Sequence, residues 1–134
     1  MTPTRRELLL SSLGFVVGLA AGSDGARARS PREAAAGGLL DGVAHPDSTR
    51  AVGWAYLRRH PEEADEQRLI EALVGEDSEL RAALQAQHPK RVRSRLRRRH
   101  RDDFGAQRTV VLEGWVLSRT ETRLAALAAL SGPA

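Results

Sequence analysis

The chain has 134 residues, of which 41% are hydrophobic and 28% are charged, a balance that suits one small folded domain rather than a disordered tail. It contains no cysteine, which excludes disulfides, thiolate metal sites and thiol nucleophiles. The net charge of +4 conceals one basic segment: residues 90–101 hold eight Lys or Arg and no acid, whereas the remainder carries 13 bases against 17 acids.

The first predicted element is an export signal over residues 1–28. A short basic start precedes the apolar run 8–21, and small polar residues follow it, which is the layout of a secretory signal. A helix over that run rises about 21 Å, less than the roughly 30 Å of a bilayer core, so the run favours a signal over a transmembrane span.

The residues before the apolar run resemble the twin-arginine motif of bacterial export signals. Four positions match this motif: Thr4, Arg5, Arg6 and Leu9. Leu8 and Leu10 stand where the usual motif has Phe and Lys, which leaves general secretion as an alternative. We therefore predict that the twin-arginine translocation machinery carries the chain to the periplasm or another extracytoplasmic compartment.

The end of the signal is followed by a segment without a clear hydrophobic period. Ala26 and Ala28 flank an arginine in a small-x-small cleavage site, and residues 20–22 form a second candidate. Residues 29–44 are rich in Gly, Ala, Arg and Ser, so we predict a flexible linker with at most a frayed helix at 32–36.

The remaining residues, 45–131, predict a mainly α domain of four to five short helices. Asp47 and Ser48 supply N-cap oxygens for a first helix that ends at Arg59, before His60-Pro61. A second helix opens at Pro61 and ends near residue 75. A third helix begins at residue 78, and the basic segment predicts a fourth over 90–104.

The segment 108–118 predicts a β-hairpin near the C-terminal end of the sequence. It is rich in valine and includes Trp115, all residues that favour strands, and Glu113-Gly114 suits a tight turn. A lone hairpin is marginally stable in water, so it must pack on helices. Ser118 and Glu121 then form a capping-box pattern for a last helix to about residue 130.

Catalytic patterns are weak. His45, His60 and His88 all precede proline, and we interpret them as helix boundaries; a metal site that gathers the three is the alternative. The sequence contains no HExxH, no GxSxG and no glycine-rich phosphate loop. We therefore predict no catalytic residue and no cofactor, and a stand-alone extracytoplasmic enzyme or metal-binding protein stays as the alternative function.

The basic segment has several interpretations. Nucleic-acid binding is not expected, because the interleaved aromatic residues and the fingerprints of nucleic-acid-binding domains are missing. Weak contact with anionic membranes through the helix 90–104, docking on an acidic protein face, and a merely solvated helix all stay open.

Two blocks, residues 51–65 (AVGWAYLRRHPEEAD) and 103–128 (DFGAQRTVVLEGWVLSRTETRLAALA), together with the leader, resemble small bacterial proteins that carry a twin-arginine translocation signal and have no assigned activity. This resemblance covers about half of the chain. It implies an accessory subunit that is exported with a larger periplasmic enzyme, such as an oxidoreductase, and it implies no catalytic residue.

We therefore predict a small accessory or binding protein that docks on a larger partner. Aromatic and arginine side chains are the usual anchors of interfaces, although core packing is the alternative for the aromatic ones. The predicted partner-binding residues are Trp54, Tyr56, Arg91, Arg95, Arg98, Arg99 and Trp115.

Overall fold

The structure is a computed structural model that describes residues 29–43 and 45–132. The predicted export signal, with Thr4, Arg5, Arg6, Leu9 and the cleavage residues Ala26 and Ala28, lies outside these residues. The described part is mainly helical and carries one short antiparallel hairpin near its C-terminal end. This arrangement confirms the predicted fold class.

Over the described residues, six α-helices and two strands follow one another. They are α1 (Pro31–Leu40), α2 (Pro46–Arg59), α3 (Glu66–Val74), α4 (Ser78–Gln85), α5 (Pro89–Gly105), β1 (Thr109–Leu112), β2 (Trp115–Ser118) and α6 (Arg119–Ser131). A single 3-10 turn, Pro61–Glu63, separates α2 from α3, so the second predicted helix begins later than expected.

The helix α1 corrects the flexible linker predicted over residues 29–44. Ser30 and Glu33 form a reciprocal capping box at its start, and its apolar side is buried in the core through Ala35, Ala36 and Leu39. A Cβ on Gly38 would lie 2.8 Å from a side-chain carbon of Leu84, so the missing side chain lets α1 approach α4 closely. The glycine that suggested a linker is therefore a packing position.

Histidine-proline pairs mark helix starts. His45, His60 and His88 each occupy the N-cap position of a helix or turn, with proline as the next residue. The first helix of the predicted domain therefore begins at Pro46, slightly before the expected Asp47, and ends at Arg59 as expected.

The core is built around α6. Helices α1, α2, α3 and α5 and both strands contact it, and residues 125–129 of α6 are all buried. The closest approach is to α2, where Gly53 lies against the backbone of Ala125. Because both residues are small, the two helix backbones come together without side chains between them.

The hairpin lies on this bundle by one face. Glu113 and Gly114 both have positive φ angles, 51° and 81°, which is the backbone of a type I′ turn. Leu112 is buried, and Val110 and Leu117 pack partly against the core. The predicted tight turn is confirmed, and the outer side of the hairpin faces away from the core.

Candidate functional site

The hairpin exposes three large apolar side chains, which we call the hairpin patch: Val111 and Val116 on the outer face, and Trp115 beside the turn. Val111 and Val116 are cross-strand partners and share the outer face, whereas Trp115 is paired with the buried Leu112 and therefore belongs to the other face, next to the turn. Their exposed fractions are 56%, 73% and 55%. A large apolar group that is left in contact with water is more informative than scattered surface leucines, because it indicates an interaction site.

A positive charge lies at the edge of the hairpin patch. The Arg59 Nη1 atom, at the end of α2, donates a hydrogen bond of 2.8 Å to the carbonyl oxygen of Val111. This bond holds the guanidinium beside an exposed valine of the patch. The hairpin thus combines two exposed valines with an exposed indole and a fixed guanidinium, and tryptophan and arginine are the residue types that anchor protein interfaces.

Trp54 is also exposed, by 47%, but it does not belong to the hairpin patch. It lies on the outer face of α2, five residues before Arg59, which corresponds to about 140° around the helix axis. The two tryptophans, predicted as one set of partner-binding residues, therefore lie on different surfaces. Trp54 supplies a control position for experiments on the hairpin.

Tyr56 differs from the sequence-based expectation, since only 3% of it is exposed. Its hydroxyl donates a hydrogen bond to Glu63, whose carboxylate also receives one of 2.7 Å from Arg123, and the ring lies 4.5 Å from that of His60. Burial, together with the Glu63 carboxylate, raises the pKa of Tyr56 to about 12. Tyr56 therefore stays protonated and joins α2 to the 3-10 turn and α6 rather than presenting a docking surface.

The carboxylate of this cluster is kept ionised. Burial alone would raise the pKa of Glu63, but the hydrogen bonds from Arg123 and Tyr56 outweigh it and hold the pKa below its ordinary value. A protonated phenol and an ionised, fully bonded carboxylate do not form an acid–base pair for catalysis. The cluster is a structural link between elements.

Two of the predicted arginines also face inward. Arg95 Nε donates a hydrogen bond of 2.9 Å to Asp77, and Arg99 Nη1 lies 3.7 Å from the same carboxylate and donates to the carbonyl of Leu73. These contacts attach α5 to the end of α3 and the start of α4. Arg95 and Arg99 therefore join helices within the bundle instead of presenting free guanidinium groups to a partner.

Apart from Arg93, which pairs with Asp41 at 3.0 Å, the remaining bases of α5 form an exposed cationic face. Its members, which share one sector of the helix, are Lys90, Arg91, Arg97, Arg98 and Arg101. Arg98 lies 3.8 Å from Glu79, and the other four have no ionic partner within the described residues. The predicted residues Arg91 and Arg98 therefore stay at the surface, and weak contact of this face with anionic lipid stays a prediction.

One buried carboxylate that joins several elements, Asp103, was not predicted from the sequence. Asp103 is only 4% exposed, and its carboxylate accepts hydrogen bonds of 2.8 Å from the Thr120 backbone amide and 2.9 Å from Arg108 Nε. The signal was present, because Asp103 follows Leu96 by seven residues and shares its inward side of α5. Its neighbour Asp102 lies in solvent.

The histidines at the helix starts do not gather into a site. Within residues 29–43 and 45–132, no group of three or more His, Asp or Glu side chains is arranged to hold a metal ion. The helices of the same residues include none that is both long and apolar enough to cross a bilayer. No family model, curated protein or solved structure matches the chain.

Proposed function

We propose that this protein is a small exported binding protein that docks on a larger extracytoplasmic partner through the hairpin patch. The observation that carries the proposal is Trp115, which is 73% exposed next to the turn of a hairpin whose outer face also exposes Val111 and Val116. The hairpin is held on the bundle by Leu112, Val110 and Leu117, so the valines of the outer face and Trp115 beside the turn are presented without rearrangement. A rigid, exposed indole loses little conformational entropy when it enters a partner's recess.

The composition of the patch defines the complementary surface. The indole requires an apolar recess at the tip of the hairpin, the two valines require an apolar surface against its outer face, and the Arg59 guanidinium favours a carboxylate beside that surface. The resemblance to exported accessory proteins supports an exported enzyme, such as an oxidoreductase, as the partner that carries this complementary surface. The catalytic groups then belong to the partner.

Photo-cross-linking in the export compartment tests the docking surface. We expect a photoreactive phenylalanine analogue at Val116 to give a discrete adduct with one larger protein, whereas the same group at Trp54 gives none. The double variant Trp115→Ser/Val116→Thr is expected to weaken capture of that partner at least about tenfold, because interface anchors typically contribute about 2 kcal/mol or more.

The controls separate docking from folding. Both replaced residues are largely exposed and lose only cross-strand contacts, so the free energy of unfolding of the double variant should fall by no more than about 1–2 kcal/mol. Trp54→Ser should leave partner capture unchanged. Equal adducts from positions 54 and 116, or a parent protein that remains monomeric and uncross-linked in its native compartment, would contradict the proposal.

Export depends on the paired arginines of the leader. In a bacterium with a twin-arginine translocase, we expect Arg5→Lys/Arg6→Lys to retain the full-length precursor inside the cell, because the motif needs both guanidinium groups. Arg29→Lys, beyond the predicted cleavage site, serves as the matched control. Fractionation with detection of both forms measures the result, and export of the double variant at the parental level would refute this route.

A further inference from the structure

A cleft of about 340 Å³ lies beside the hairpin and is lined by none of the three residues of the hairpin patch. It opens between the start of α2, the middle of α5, the end of β2 and the first turns of α6. Most of its floor is apolar, formed by Val43, Val52, Leu96, Leu117, Leu124 and Ala125. Its volume is at the lower end of the roughly 300–1,000 Å³ of small-molecule sites, so it suits a small ligand with an apolar body.

One rim of the cleft carries an uncompensated cation. Arg97 lines the cleft and has no hydrogen bond or ionic partner within the part of the chain that the structure describes. Its neighbours on the packed side of α5 are different, since Arg93 reaches Asp41 at 3.0 Å and Arg95 reaches Asp77 at 2.9 Å. A guanidinium beside an apolar floor favours an anionic group that brings an apolar body with it.

A second polar group lies one turn further along the same helix. His100 also lines the cleft, and its Nδ1 atom lies 2.8 Å from the Ser118 hydroxyl oxygen. That oxygen also accepts a hydrogen bond of 3.0 Å from the Glu121 backbone amide, and it has one hydrogen that it can donate to Nδ1. In the tautomer whose Nδ1 accepts this bond, Nε2 carries the ring hydrogen, and it has no hydrogen-bond partner among the described residues.

The acid at the cleft limits where an anion can sit. The Glu121 carboxylate lies 3.8 Å from His100 Nδ1, on the side of the ring that is already bonded to Ser118. An anion is repelled from that side and attracted by Arg97, which is three residues before His100 on the same face of α5. The charges of the rim thus define one anion position.

We propose that this cleft binds a small amphipathic carboxylate. The carboxylate group is held by the Arg97 guanidinium and the Nε2 hydrogen of His100, and the hydrocarbon part lies on the apolar floor. The cleft shares no lining residue with the hairpin patch, so it gives the protein a small-molecule ligand in addition to its docking partner.

Octanoate is the probe for this site. In an amide chemical-shift titration of the labelled protein, we expect saturable shifts confined to residues 49–52, 96–100 and 117–125. Octanol, which lacks the charge, and acetate, which lacks the chain, should bind much more weakly. Arg97→Gln is expected to weaken octanoate binding about tenfold, because a charge-assisted hydrogen bond is lost.

Two matched variants make the outcome decisive. Arg101→Gln removes a base of the cationic face outside the cleft and should bind octanoate as the parent does; Trp115→Ser should do so as well, which separates this site from the docking surface. Equal losses in the Arg97 and Arg101 variants would indicate general charge attraction and overturn the proposal. Absence of saturation, or shifts centred on the hairpin, would overturn it too.

Discussion

Asp103→Ala is expected to lower the free energy of unfolding by about 2–4 kcal/mol, which is the range for a buried carboxylate whose hydrogen-bonded partners are left behind. The carboxylate joins α5 to the start of α6 through the Thr120 amide and to the start of β1 through Arg108. Its removal leaves a buried backbone N–H without an acceptor. Urea denaturation followed by circular dichroism measures the change.

Asp102→Ala is the matched control for this prediction. Asp102 is the preceding residue on the same helix, it has the same charge, and it is exposed. Its replacement should change stability by no more than about 0.5 kcal/mol. If the two alanine variants unfold at the same urea concentration, the Asp103 contacts do not contribute as described.

The pH dependence of the same contacts has a definite sign. Burial alone would raise the pKa of Asp103, but hydrogen bonds from Thr120 and Arg108 outweigh it and hold the pKa below its ordinary value. A carboxyl group with a lowered pKa in the folded state stabilises the protein above about pH 4, and this contribution is lost as the pH falls through the folded pKa. The stability difference between the parent and Asp103→Asn should therefore narrow in acid.

Gly53→Ala is expected to destabilise the protein by about 2–3 kcal/mol, although alanine is intrinsically the better helix former by about 1 kcal/mol. A Cβ at this position would lie 2.1 Å from the carbonyl oxygen of Ala125 and 2.5 Å from its carbonyl carbon. Both atoms belong to the backbone of α6, so the clash can be relieved only if the two helices move apart. Thermal and urea unfolding measure the loss.

Gly105→Ala tests whether this effect is local. Gly105 ends α5, and a Cβ there would meet no atom within 4 Å. Its replacement should be neutral or stabilising by up to about 1 kcal/mol, because alanine restricts the unfolded chain. A comparable loss of stability in both variants would show that the α2–α6 contact is not the cause.

The parts of the fold that were predicted from the sequence are those determined by residues close together in the chain. The turn residues Glu113 and Gly114, between valine-rich segments, determine the hairpin because its backbone needs two positive φ angles. The full helix α1 was not predicted, because glycine at position 38 intrinsically disfavours a helix. Gly38 is needed there for close packing against Leu84 of α4, a contact between residues far apart in the sequence. The packing role of Gly53 was not predicted either, because it depends on contact with Ala125, which is also far away in the sequence.

The candidate site was only partly predictable, because residue type does not determine exposure. Tyr56 and Trp115 are both aromatic residues in helix or strand patterns, yet one is buried among three elements and the other is at the tip of a hairpin. Likewise, Arg95 and Arg97 are indistinguishable within the basic segment. Arg95 forms an ion pair with Asp77 at the start of another helix, whereas Arg97 has no such partner and lines the cleft.

The central position of α6 has a consequence for synthesis. Every other helix of the core precedes it in the chain, so a polypeptide emerging from the ribosome cannot close its core until residues 119–131 are outside the exit tunnel. Until then the apolar sides of α1–α5 have no common partner, and a nascent chain is vulnerable to aggregation or needs a holding chaperone. Compaction, and any transport step that demands a compact cargo, therefore follows translation of this helix.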